Sequence, residues 1–431
     1  SATLESNRDF FASLRLDSMD LQMVRGRALP SYPRSATVAY VATVKCLLGG
    51  ILRDLSDDAA AAGFHASTRL LLYPPAPSAT RGDLAKELTE RCTALRRGEG
   101  RRLWDAYDWG STLISTDRVA RVERERLPKL INDCIARHNA ARAFRCMFGP
   151  PSAPPTPRVS TLVTAMIATE RNPDLDPAGA IRSAAALALP HAPTTGYIHD
   201  TATREAVIAK FTKLFHERST GAPDGTGLRA SYIAASPLEL MPLYALLIHC
   251  IHLGKVSDGH RRLLQTNVMY GQCKTLDDGS FPTTAAQIAG VRPVKLINIA
   301  RRAVAGGIGT ALTKLTRPYM ESLNQWGGSP GGLDAAVRRQ QYIFDAHPTI
   351  IHSLVDVKNA HSTIARIAVH HTLERLCAFY PGAMPIRDAH RYFLFIYSTP
   401  SRTVTQAGAT LTETFMTDAL DQGDGLSSIA F

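Results

Sequence analysis

The stretch from Ile350 to His361 reads I-I-H-S-L-V-D-V-K-N-A-H. Its apolar residues Ile350, Ile351, Leu354 and Val355 lead to a carboxylate, Asp356, and Lys358-Asn359 then turns the chain toward a helical pattern. A strand that ends in Asp, with small and polar residues beyond it, presents a rigid carboxylate at a sheet edge, where a metal ion can bind. The same pattern serves as an ordinary turn or cap, so Asp356 by itself leaves both readings open. A second pair of groups with chemical potential is Lys274 and Arg292, which flank a long polar loop. Lys acts as a mobile point charge and Arg as a bidentate fork, so the two can clamp a triphosphate; they can equally be solvated surface charges. Two glycine-rich turns complete the set: Gly221-Ala222-Pro223-Asp224-Gly225-Thr226-Gly227-Leu228, and Asp421-Gln422-Gly423-Asp424-Gly425-Leu426.

The elements that must position these groups are mostly helical. The pattern predicts a buried helix over 36–55, interrupted at Gly49-Gly50, and an amphipathic helix over 82–97 with Leu84, Leu88 and Leu95 near one face. Helices are also predicted over 203–215, 238–253, 298–315 and 333–344. The glycines of the 298–315 helix (Gly306, Gly307 and Gly309) fit neither phosphate-loop nor dinucleotide-binding spacing. Residues 118–148 form the clearest periodic stretch in the chain. Arg121, Arg124 and Arg137 are among the cations that decorate it, as a solvated basic face or as a surface that tracks an RNA backbone. Pro-rich stretches at 74–78 and 149–157 punctuate the chain. The organisation expected is a helical N-terminal region over 1–148, a connector with a helical segment over 149–200, and a last unit over 201–431.

At 431 residues the chain is too long for one small core. Hydrophobic residues at 45% against 20% charged exclude a disordered composition. The net charge of +11 suits a polyanionic partner. Seven cysteines are scattered with no C-x-x-C pair, which argues against a zinc ribbon and for reduced thiols in an intracellular protein. No H-E-x-x-H or nucleophile-elbow pattern occurs. No signal-peptide pattern is recognised, and no run is expected to be long and apolar enough to cross a membrane.

In sequence order, the Gly221–Arg229 segment, Arg292-Pro293-Val294, the Asp356–His361 segment and Gln422-Gly423-Asp424 resemble the four corresponding motifs of reverse transcriptases from non-LTR retrotransposons. The likeness is to site-specific elements of the kind found in trypanosomes and insects, and it covers roughly residues 200–431. Residues 141–173 also resemble the segment that precedes the polymerase in those proteins. Four weak motifs in the right order weigh far more than any one, because chance matches multiply.

The resemblance implies an α+β architecture: a helical N-terminal extension, then fingers and part of a palm, with a largely antiparallel mixed sheet backed by helices. It implies RNA-directed DNA synthesis by two-metal nucleotidyl transfer, with Mg2+ as cofactor and an RNA template, a DNA primer and a dNTP as partners. Asp356 would be the catalytic carboxylate, and the carbonyl of Val357 a second metal ligand. Arg292 and Lys274 would hold the nucleotide, Gln422 and Gly423 would touch the template base or nucleotide, and the location would be the nucleus. Three departures stand out. The position beneath the sugar, normally aromatic, is His361; the Pro after Q-G-D is Gly425, which should loosen that turn; and the Lys274–Arg292 interval is long. The family's second carboxylate pair, in a Y/F-x-D-D hairpin, is not found after Asp424, and both ends of the chain read as those of a piece of a longer polypeptide. The other reading of the same features is a catalytically inactive nucleic-acid-binding protein on a decayed polymerase fold.

Overall fold

The structure is a computed structural model. It describes residues 2–16, 34–72, 81–106, 201–216, 223–234, 236, 238–273, 291–325, 329, 332–347, 349, 364–407, 410–417, 419–421 and 424–426. Within these the fold is mixed helix and sheet, and helices dominate.

Short helices α1 (Ala2–Ser6) and α2 (Arg8–Ser13) pack on α3 (Arg34–Arg53), α4 (Asp58–Leu71), α5 (Arg81–Arg96) and α6 (Gly100–Asp105). Asp57 starts α4 by accepting hydrogen bonds from the amides of Ala59 and Ala60, which would otherwise lack partners. Leu84, Leu88 and Leu95 of α5 are all buried, as their spacing predicts. Helix α3 runs unbroken through Gly49-Gly50, contrary to the interruption expected from sequence. Gly50 is there for contact: a Cβ would stand 2.9 Å from the Leu4 side chain. From Ser35 on, α3 is also long and apolar enough to cross a membrane by length and composition, which corrects the expectation above; half of that stretch is buried inside the fold.

The later helices share the same hydrophobic core. They are α7 (Thr201–His216), α8 (Ala230–Ala234), α9 (Leu240–His252) and α10 (Asp258–Gln265). Helix α9 buries Leu240, Met241, Tyr244, Leu247, Ile248 and Ile251, a three-and-four spacing that forms one face, and it packs on α3. Burying such side chains stabilises the fold by about 1.5–3 kcal/mol each. Two buried histidines, His65 on α4 and His260 on α10, meet at 3.1 Å and tie the N-terminal helices to the rest.

The sheet has four strands in the order β2-β1-β3-β4. Strands β1 (Thr266–Cys273) and β2 (Val291–Leu296) pair antiparallel, with Gln272 opposite Arg292. Strands β3 (Ser401–Ala407) and β4 (Thr410–Met416) form a second antiparallel pair. The two pairs join through a parallel ladder between β1 and β3, Thr266 opposite Arg402. A parallel ladder needs a long crossover. Four helices supply it: α11 (Ile299–Ser322), α12 (Gly332–Ala346), α13 (Arg366–Phe379) and α14 (Met384–Tyr397). Helix α11 extends seven residues beyond the expected end at Leu315, through Pro318 to Ser322.

Candidate functional site

Helix α11 gathers three of the four motif segments. Strand β2, which carries Arg292-Pro293, leads directly into it. Asn298 caps its start by accepting from the Ala300 amide at 2.9 Å. The Ile299 amide is satisfied from elsewhere in the chain, by Asp224 Oδ2 at 3.2 Å. The other oxygen of Asp224 accepts from the amides of Thr226 (3.0 Å) and Leu228 (3.1 Å) and from the Thr226 hydroxyl (2.7 Å). One buried carboxylate thus fixes the 224–228 turn and docks it on the positive end of a helix. Burial raises the Asp224 pKa, and the bonds from Thr226 and the Ile299 amide pull against that rise.

Two residues beyond Ile299, Arg301 is fully buried. Its guanidinium donates to Asp424 Oδ2 through Nε (3.0 Å) and Nη2 (2.6 Å), and to Asp421 Oδ2 at 2.9 Å. It also donates to the Tyr397 hydroxyl (3.0 Å), the Leu264 carbonyl and Asn267 Oδ1. Tyr397 closes the ring: its hydroxyl donates to Asp424 and accepts from the Asp421 amide. Lys295 of β2 donates to the free oxygen of Asp421 at 3.0 Å. Burial alone would raise the Asp421 pKa, but Lys295, Arg301 and Arg366 hold it well below the usual carboxylate range. Burial likewise opposes the Arg301 charge, and Tyr397, Asp424 and Asp421 more than offset it.

Arg366, at the start of α13, braces the same turn from behind. It donates to the carbonyls of Ala419, Tyr397 and Thr399 and to the Ser401 hydroxyl. The turn closes on itself through Asp424 N–H to Asp421 O (3.1 Å) and Leu426 N–H to Asp424 Oδ1 (3.0 Å). Gly425 then lies against the helix. A Cβ there would meet the Gly306 Cα at 2.6 Å, and a Cβ on Gly307 would meet the Val207 Cα at 2.4 Å. The helix glycines therefore serve close approach of neighbouring chain. Gly425 therefore packs closely on α11.

Of the site residues expected from sequence, the structure places Arg292, as the second residue of β2, opposite Gln272. Lys274 follows Cys273, the last residue of β1, in sequence, and β1 pairs antiparallel with the strand that carries Arg292. Lys274, Asp356, Val357, His361, Gln422, Gly423, Arg121, Arg124 and Arg137 lie outside the described residues. Gln422 and Gly423 fall between two anchored residues, Asp421 and Asp424. The pattern reading overlooked Arg301, Lys295, Arg366 and Tyr397. A signal for Arg301 was available: with Val304, Ala305 and Ile308 it falls on the buried face of α11, an unexpected place for a lone cation.

No protein-family model matches the chain, and no curated protein matches it.

Proposed function

We propose that the chain is the N-terminal extension, fingers and part of the palm of an RNA-directed DNA polymerase of the non-LTR retrotransposon type. The motif order in the sequence is the first support. The observation that carries the reading furthest is convergence: three segments far apart in sequence (the 224–228 turn, the β2 strand bearing Arg292, and the Asp421–Leu426 turn) meet at the first turns of α11. A polymerase has reason for such rigidity. Groups that grip a triphosphate and a template base must keep their mutual spacing through each cycle, and a shared buried network provides that.

In this reading the Arg292 guanidinium grips the triphosphate as a fork. Lys274, which follows β1 in sequence, adds a point charge. Gln422 and Gly423 sit against the template base or incoming nucleotide, their turn pinned on both sides by Asp421 and Asp424. His361 fills the space beneath the sugar, with hydrogen-bonding capacity that an aromatic hydrocarbon lacks. Asp356 and the Val357 carbonyl offer oxygen donors of the kind magnesium prefers. Bound magnesium would lower the pKa of the primer hydroxyl and stabilise charge on the phosphoryl group.

His361 also favours a second reading, a nucleic-acid-binding protein that has lost catalysis. The two separate in a binding experiment with this chain, an RNA–DNA primer–template, magnesium and labelled dNTPs. Polymerase chemistry predicts that the complementary dNTP is retained on the order of tenfold better than the others, and that Arg292→Ala abolishes the preference. Primer–template binding with equal retention of all four dNTPs would refute the proposal and support the second reading.

A further inference from the structure

Helices α13 and α14 form a hairpin whose facing surface holds an unusual set of side chains. His370, His371 and Glu374 each place one ligand atom so that all three lie within 4.8 Å of one another. Glu374 is one helical turn from both histidines, at i+4 from His370 and i+3 from His371, so the helix itself aligns them. His370 is buried, whereas His371 and Glu374 are exposed, with 58% and 60% of their side-chain surface accessible. Across the hairpin, His390 Nε2 stands 3.0 Å from His370 Nδ1, and His390 Nδ1 is 4.0 Å from Cys377 Sγ.

We propose that His370, His371 and Glu374 bind a divalent transition ion of the zinc class, with water in the remaining position and His390 as the supporting partner of His370. Two imidazoles and one carboxylate suit zinc, cobalt or nickel better than magnesium, which prefers oxygen throughout. Three protein ligands plus one open position is a usual zinc arrangement. Ligand atoms around a tetrahedral zinc with bonds of about 2.0–2.1 Å sit roughly 3.4 Å apart. His371 Nδ1 and Glu374 Oε2 already stand 3.4 Å apart, and both side chains are exposed, so rotamer changes can bring the set together.

The second observation is the His390 contact. A histidine that binds metal through one ring nitrogen almost always donates the other N–H to an acceptor. With His370 Nδ1 turned to His390, its Nε2 lone pair is left for the ion. Metal binding then selects the arrangement in which His370 Nδ1–H donates to His390 Nε2 and His390 Nδ1–H points to the Cys377 sulfur. The proposal stands independently of the polymerase reading, since none of these residues belongs to the motif segments.

The test is a Co2+ titration of the full chain, followed by visible ligand-field absorption, with Zn2+ as competitor. The comparison set is wild type, His371→Ala/Glu374→Gln, and His347→Ala as an exposed histidine elsewhere. Both ligand changes are at exposed positions, so folding is not at stake. One equivalent of Co2+ should bind with a visible band that Zn2+ displaces. The apparent Kd should rise at least about 100-fold in the double variant and stay unchanged in His347→Ala. His390→Gln should weaken binding by about 10- to 100-fold. Indistinguishable titrations of wild type and the double variant, or no band in wild type, would overturn the proposal.

Discussion

Replacing Arg301 by Met tests the network that joins the motif segments. The Met side chain fills much of the same volume but donates nothing. Asp421 would keep Lys295 at 3.0 Å and its backbone contact with Tyr397. Asp424 would lose the donors at 3.0 and 2.6 Å and keep the Tyr397 hydroxyl at 3.1 Å on the same oxygen. Removing a buried cation from beside a buried carboxylate costs about 3–5 kcal/mol. At about 1.4 kcal/mol per factor of ten, amide protection in α14 and β3 should fall by about 10²- to 10⁴-fold. Hydrogen exchange read by mass spectrometry measures this without assuming that the whole chain unfolds in one step. Arg302→Met is the control: that neighbour is part-exposed and donates to the Ile297 carbonyl at 3.2 Å. Adding Asp424→Asn to Arg301→Met should recover part of the loss, because the orphaned charge goes with it. Protection within tenfold of wild type in Arg301→Met, or equal to that of Arg302→Met, would refute the argument.

Three further outcomes are expected. Gly425→Ala should cost about 1–3 kcal/mol, seen as a lower unfolding midpoint, because its Cβ would stand 2.6 Å from the Gly306 backbone; no change would mean the turn does not rest on α11. Burial lowers the His260 pKa to about 4 and that of His65 well below its usual value, so both are neutral in the fold and titrate near pH 6.5 when unfolded. The stability they contribute is complete above about pH 6.5 and is lost as pH falls toward 4, by on the order of 3 kcal/mol for His260; a midpoint flat across that window, or equally pH-dependent in His260→Leu, would contradict this. RNA affinity should fall on the order of 10³-fold between low and moderate salt. Charge reversal at Arg121, Arg124 and Arg137 should reduce both affinity and salt slope, and unaltered binding would exclude the 118–148 stretch as the surface that tracks the RNA backbone.

Helix positions were legible because their apolar residues recur at helical spacing, as with Leu84, Leu88 and Leu95. Boundaries were less so. Gly49-Gly50 looked like a break, yet Gly50 is a contact point for Leu4, and no local pattern shows which distant side chain a glycine accommodates. The mixed sheet follows only coarsely from sequence, since the β1–β3 parallel ladder joins segments more than 100 residues apart. For the site, the motif turns around Asp224 and Asp424 were visible, but what they serve was not. Both carboxylates point back to α11, and that pairing depends on tertiary neighbours. Arg301 was readable in principle, as a cation in phase with Val304, Ala305 and Ile308. Lys295 and Arg366 carried no comparable signal, because a Lys in a strand and an Arg at a helix start are usually solvated.

The most direct measurement of the polymerase proposal is RNA-templated primer extension with magnesium, comparing wild type with Asp356→Ala. The protein should be in a form that includes a Y/F-x-D-D carboxylate pair downstream of Asp424. Two-metal transfer needs ions about 3.5–4 Å apart with carboxylates to share them, which is why the assay uses a form that carries the second pair. The form with the second pair should extend the primer, and Asp356→Ala should reduce that extension by at least about 10³-fold while leaving RNA binding within a few-fold. Extension that survives Asp356→Ala, or a form with the second pair that never extends a primer, would contradict the account.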